Sequence, residues 1–172
     1  GLTAHTSRLD REAFLVRTPD LRWPQGATRA IQQAEATTVQ LPAGRYYRNR
    51  PDTEDPVGAG WNLSQYDQRR WGAVRIAANS GPIVEMSKVE NDMLAAEGYI
   101  YAGNFAAAAP LIDISRVRNG LPVLAGVVLN GTTPVPGGGA CVPQVPVGPD
   151  YTTTACGNML EAMKYEKRME TA

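Results

Sequence analysis

Between Glu85 and Arg118 apolar side chains recur at helical spacing, and the recurrence is interrupted once, at Gly103-Asn104. Before the interruption Met86, Val89, Met93, Ala96 and Ile100 fall on one narrow stripe; after it Phe105, Ala108 and Ile112 share a face, with Leu111 and Ile114 beside it. Such stripes demand cover, so the segment predicts two antiparallel helices, Glu85 to Ala102 and Phe105 to Arg118. Gly103 is able to take a positive φ, and Asn104 is suited to cap the second helix. Pro110 removes one i to i−4 hydrogen bond, which predicts a kink or a start delayed to Pro110 as the first helical residue. A third periodic segment follows Cys156, with Met159, Ala162, Tyr165 and Met169 on one side and Glu161, Lys164 and Arg168 on a solvated other side. It is expected to pack on the hairpin.

Two antiparallel helices joined by a Gly-Asn turn, with alanine at the crossing, are the unit of tetratricopeptide-like solenoids. One such hairpin is visible, whereas a solenoid needs about three to be stable. Its neighbours are therefore expected elsewhere in this chain or in sequence outside it. The fold class read here is mainly α, with long irregular loops, no large sheet, and a short strand in "RYYRN".

The loops follow from thirteen Pro and seventeen Gly against two Phe, most of them in residues 42–60, in 119–149 and around Pro19 to Gly26. A length of 172 residues suits one domain. Within it, residues 1–84 form a loop-rich aromatic segment, 85–122 the helical hairpin, 123–156 a Pro/Gly-rich loop and 157–172 a helix. Seventeen basic residues balance seventeen acidic ones, so charge implies neither a nucleic-acid partner nor an anionic membrane surface. The longest apolar runs, such as Leu121 to Leu129, contain Pro and Gly and fall short of the ~20 residues of a membrane span. The opening at Gly1, with no signal-peptide pattern, predicts a chain that starts inside a longer protein.

Cys141 and Cys156 bracket "CVPQVPVGPDYTTTAC". Metal binding would want more Cys or His nearby, and His5 is distant in sequence. Two unrelated thiols remain an alternative. The favoured reading is a disulfide that closes about fifteen residues, stabilises by ~3 kcal/mol in the chain-entropy model and implies an oxidising compartment.

"VENDMLAAEGYIYAGNFAAAAPLIDISRVRNGLP" and "LEAMKYEKRMETA" resemble the SusD/RagB family of outer-membrane nutrient-binding lipoproteins. The resemblance rests on Ala96-Glu97-Gly98, on Gly103-Asn104, on Val117-Arg118 with Gly120-Leu121-Pro122, and on the helix from Leu160 to Ala172. It covers about a third of the chain, residues 85–122 and 157–172, and extends loosely to "LPAGRYYRNRPDTEDP" and "WNLSQYD" upstream. It implies an α-α superhelix of which this chain is a fragment, a place on the outer surface of a Gram-negative cell, and partnership with a TonB-dependent transporter. The bound nutrient would be an oligosaccharide or a peptide, and the lipid anchor would lie in sequence outside this chain. The connection bracketed by Cys141 and Cys156 is longer than the family often has.

Family members are not enzymes, and the residues agree. One His leaves little for a nucleophile-base pair, no phosphate-cradling motif occurs, and "VPGGGACV" lacks the Lys and helix of a phosphate loop. No cofactor or metal site is expected. Sugar binding wants flat aromatic faces with planar polar groups beside them. The irregular segment carries Trp23, Tyr46, Tyr47, Trp61, Tyr66 and Trp71 among Arg45, Arg48, Asn49, Asn62, Asp67 and Arg70. Tyr46, Tyr47, Trp61, Asn62, Tyr66 and Trp71 are the expected ligand-binding residues, although each aromatic also suits anchoring a loop onto a core. Arg116 and Arg118 read as a helix C-terminal charge pair favoured by the dipole, with docking of a partner as the alternative. The alternative to nutrient binding is a helical scaffold that docks on a larger membrane assembly and holds no small ligand; a hydrolase would need carboxylates converging in a cleft.

Overall fold

A computed structural model describes residues 14–35, 45–54, 64–70, 80–82 and 84–171. The chain divides into two compact units, Gly1–Ile83 and Val84–Ala172.

In the first unit, helix α1 (Arg29–Ala34) is capped by Thr28, whose hydroxyl accepts from the Ile31 amide at 3.3 Å. Strands β1 (Tyr47–Asn49) and β2 (Tyr66–Gln68) pair antiparallel, with Tyr47 opposite Gln68, Arg48 opposite Asp67 and Asn49 opposite Tyr66. The short strand expected in "RYYRN" is therefore β1.

The second unit is helix-rich. Helix α2 (Lys88–Tyr101) and helix α3 (Phe105–Arg118) form the expected hairpin, and α4 (Met159–Thr171) packs against both. Helix α2 begins three residues later than apolar spacing predicts. The Ser87 hydroxyl accepts from the Glu90 amide at 3.1 Å, so Ser87 is the cap and Met86, 60% exposed, lies outside the helix. Gly103 turns the chain at φ +75°, and the Asn104 side-chain Oδ1 accepts from the Ala107 amide at 3.2 Å. Helix α3 starts at Phe105 with Pro110 inside it, not at Pro110. Pro110 and Ala106, whose carbonyl loses its partner, both lie on the exposed side, where water can satisfy that oxygen.

At the far end Gly120 takes φ +77°. Its amide donates to Val117, and the Leu121 amide donates to Arg116 at 2.9 Å. This Schellman closure explains Gly120-Leu121 after the helix. Met93, Ala96 and Ile100 of α2, Ala108, Ala109 and Ile112 of α3, and Met159, Ala162 and Met163 of α4 fuse into one core. Alanines at the crossing let the helices approach closely. Leu124, Val128 and Val135 close the core from the connecting segment, which buried Asp113 pins down by accepting the Leu124 and Ala125 amides at 2.8 and 3.0 Å.

Residues 123–156 are not loop throughout. Strands β3 (Gln144–Val147) and β4 (Thr153–Cys156) make a hairpin, and Cys141 and Cys156 are joined by a disulfide with Cα atoms 5.7 Å apart. Val and Thr favour extended backbone, and the crosslink holds the two ends together.

Helix α4 also departs from the simple two-faced expectation. Glu161 and Lys164 pair on its surface as expected, but Glu166 and Glu170 are buried, and Tyr165 is only half-buried. The Ser115 hydroxyl lies 2.8 Å from a carboxylate oxygen of each glutamate. Arg116 approaches Glu166 at 3.6 Å and donates to the carbonyls of Pro122 and Val142, while Arg118 donates to Glu170 at 2.8 Å. The arginines of "SRVR" thus hold the glutamates of "YEKRME" across some fifty residues of chain.

Candidate functional site

The sequence-expected ligand residues that fall within the described chain are Tyr46, Tyr47 and Tyr66; Trp61, Asn62 and Trp71 lie outside the described residues. The β1–β2 pairing gathers the three tyrosines in the first unit, and it gives them different surroundings. Tyr66 is buried at 7% exposure, its ring 5.5 Å from Phe14 and edge-on to Trp23 at 5.6 Å. Its hydroxyl donates to Gln32 at 2.6 Å and accepts from the Val16 amide and the Asn49 side chain. A phenol held on three sides in an apolar wall is an anchor, with no free face for a sugar. Spacing does not reveal this, because the partners come from α1, β1 and the entry loop.

Tyr47 and Tyr46 differ from it. The Tyr47 ring lies flat on Trp23, with centroids 4.0 Å apart and planes within 4°. Burial pushes the Tyr47 phenol up; Arg22 opposes the shift and Asp20 adds to it. Tyr46 carries the Arg70 guanidinium 4.9 Å above its ring centroid. All four of these side chains are half-buried, so Trp23, Tyr46 and Tyr47 expose part of their aromatic surface beside Arg70 and Gln68. Trp23, absent from the sequence-derived site, is the residue that Tyr47 stacks on. Its proximity to a proline in a loop gave no signal of that contact.

Charge fixes the strands beneath these rings. Arg48 donates to Glu54 and, at 2.9 Å, to Asp67; Arg69 donates to Asp67 at 2.9 Å and Arg50 reaches it at 3.4 Å. Burial works against the Arg48 cation, but its bonds to Glu54 and Asp67 outweigh burial and strengthen its hold on the proton. The same bond from Arg48 holds the Glu54 carboxyl below its ordinary value, against a smaller opposing effect of burial. Asp20 and Arg22, both fully buried, pair at 2.7 Å and brace the turn that carries Trp23.

A small open cavity of about 230 Å³ lies in the same unit, between Val16–Thr18 and Pro24–Ala27. Arg17, one of its lining residues, donates to the Ala27 carbonyl at 2.9 Å. Among the described residues, no three His, Cys, Asp or Glu side chains meet so as to hold a metal ion, and no helix is long and apolar enough to cross a membrane.

Comparison with protein-family models, curated proteins and solved structures finds no match to this chain.

Proposed function

We propose that this chain is the C-terminal region of a SusD/RagB-type surface lipoprotein that holds an oligosaccharide or similar nutrient for a TonB-dependent transporter. The observation that carries this reading is the meeting of its two sequence signatures. "SRVRNGLP" and "YEKRME" both carry the family resemblance, and in the fold they lie against each other, with buried Arg116 3.6 Å from Glu166 and exposed Arg118 donating to buried Glu170. The disulfide supports an oxidising compartment, as a cell-surface location requires. The half-buried Trp23, Tyr46 and Tyr47 supply the stacking surfaces that a sugar-binding protein uses.

One observation favours the scaffold alternative. Ala106, Pro110, Ile114 and Val117 leave an exposed apolar line along α3, the kind of surface that another helix covers. The deciding experiment is purification of the full-length protein from its native membrane. Co-purification with a TonB-dependent β-barrel, together with retention of oligosaccharide, is expected. A protein recovered without a transporter from a reducing compartment overturns the reading, and transporter association without any retained nutrient favours the scaffold.

A further inference from the structure

The β3–β4 hairpin projects from the second unit, and of its eight strand residues only Val145 and Cys156 are even half-buried. Its ladder fixes which backbone groups point inward. The Gly157 amide donates to the Pro143 carbonyl at 2.9 Å, so 143 and 157 form a bonded pair one step below the strands. Bonded and non-bonded pairs alternate along an antiparallel ladder, which makes Val145 with Ala155 and Val147 with Thr153 the next bonded ones. Gln144 with Cys156 and Pro146 with Thr154 are then non-bonded, and the N–H and C=O groups of these residues point away from the opposite strand. The sequence agrees with this parity. Pro146 has no N–H to give, and a proline inside a strand sits where that group would face outward.

The two outer edges therefore differ. The outward row of β3 contains Pro146, which cannot donate, and proline is one of the residues by which an exposed edge is protected. The outward row of β4 is Thr154 and Cys156. Among the described residues, neither backbone has a partner beyond the hairpin. Nothing else guards this edge. From Tyr151 to Asn158 the chain has no charged residue and no proline, and threonine favours extended backbone.

One open edge per hairpin selects the partner. Laid antiparallel on the β4 of a second copy, about a two-fold axis at Thr154, β4 becomes its own complement, and the two Thr154 residues exchange both backbone bonds. Because residues 151–158 carry no charge, this symmetry brings no like charges together, and it sets threonine opposite threonine, a favourable cross-strand pair. A two-stranded ribbon, marginal by itself, thereby becomes the half of a four-stranded sheet. Both outer edges of that sheet are β3, closed by Pro146, so association stops at two.

We propose that the β4 edge is a self-association surface on which two copies of this chain pair β4 to β4, and that Pro146 confines the assembly to a dimer. The inference is independent of the nutrient-binding reading above. The contact is short, so the dimer is a weak one, and the test is sedimentation equilibrium of the oxidised full chain up to about 1 mM. A reversible monomer–dimer equilibrium with no larger species is expected. Thr154→Lys sacrifices only an exposed side-chain bond to Gln144, but it sets two ammonium groups across an axis where the Cα atoms are about 5.5 Å apart. It should weaken the dimer at least about tenfold, with part of the loss recovered in high salt. Thr154→Pro removes the outward N–H without touching the inner ladder and should abolish the dimer, whereas Pro146→Thr reopens the second edge and should yield species larger than a dimer. Wild type that stays monomeric at about 1 mM overturns the proposal, as does a Thr154→Lys variant that dimerises as tightly as wild type. Pro146→Thr that stops at dimers overturns the role given to Pro146. A monomeric wild type that instead binds an unrelated extended peptide along β4 assigns the edge to a different partner and overturns self-association.

Discussion

The two units of this protein bury different things. The helical unit hides Met, Ala, Ile and Leu behind three helices, and most of its polar interior is the knot of Ser115, Arg116, Asn119, Glu166 and Glu170, with Asp92 and Asp113 buried apart from it. The first unit has little aliphatic core among its described residues. Apart from Pro24, its buried side chains are Tyr66, Gln32, Asn49, Arg48 and the Asp20–Arg22 pair. Dispersion and apolar burial are non-directional and tolerate exchange of like for like, whereas a hydrogen-bonded interior is worth its full value only when every partner is present. The helical unit should therefore shrug off conservative changes in its apolar core. The first unit should respond sharply to the loss of single polar atoms. All three tryptophans, at 23, 61 and 71, lie in the first unit and the three longer helices in the second, so indole fluorescence and helical circular dichroism separate the two in the intact chain.

The largest effect is expected where the helical unit departs from its own rule. Glu166→Ala leaves the Arg116 cation buried beside a void, and breaking such a pair costs about 3–5 kcal/mol. Denaturant titration followed by circular dichroism should show this loss with the indole transition unmoved. A loss below about 1 kcal/mol would mean that the knot contributes no more than a surface pair. Cys141→Ser with Cys156→Ser should cost about 3 kcal/mol in the same unit, read as a lower melting temperature of the oxidised protein and no change in that of the reduced one. In the first unit, Tyr66→Phe removes one oxygen and leaves Val16, Gln32 and Asn49 short of a partner, at about 1–3 kcal/mol. The indole transition should report it, while Met163→Leu in the helical core stays within about 1.5 kcal/mol. If the two substitutions have equal effects, the contrast between directional and non-directional interiors fails.

Acid sharpens the comparison further. The Glu54 carboxyl is depressed by its bond from Arg48, and the Glu35 carboxyl, although burial pushes it up, is depressed overall by Arg45 and the Gln25 amide. A depressed carboxyl contributes fully above its unfolded value, 4.5 here, and the contribution fades as pH falls through the folded value. The indole transition should weaken below about pH 4.5, and Glu54→Gln should flatten that acid limb without shifting the neutral plateau's pH dependence. Smallest of all, Lys164→Ala on the exposed face of α4 should change stability by about 0.2–0.5 kcal/mol, since it breaks only an i,i+3 surface pair with Glu161.

Much of the helical unit was legible in residue order. Periodicity locates α2, α3 and α4, Gly103-Asn104 locates their turn, and the spacing of Cys141 and Cys156 suits the disulfide that forms. These are short-range properties, set by which side chains share a helix face and by which residues tolerate a turn. The start of α2 moved to Lys88 because the Ser87 cap outranks the apolar stripe at Met86. The candidate site was legible only as a composition. Residue order names Tyr46, Tyr47 and Tyr66 alike; it does not separate the buried Tyr66 from the partly open Tyr47, nor supply Trp23 as the plate beneath it.

What residue order determined by itself is where the second unit becomes helical, where its hairpin turns and which thiols are near enough to join; helix α1, in a segment read as loop-rich, was not legible. Tertiary structure decided which charges go inside. Glu166 and Glu170 look like any solvated glutamates on an amphipathic helix, and Arg116 and Arg118 like a pair favoured by a helix dipole, until closure of the chain sets them against one another. It also decided that Tyr151 stands strained and open at the tip of a clamped hairpin, not folded against a core. Local rules act over three or four residues, where backbone geometry fixes the distances. The fate of a charge or an aromatic ring depends on partners tens of residues away, and only the closed chain says which of them arrive.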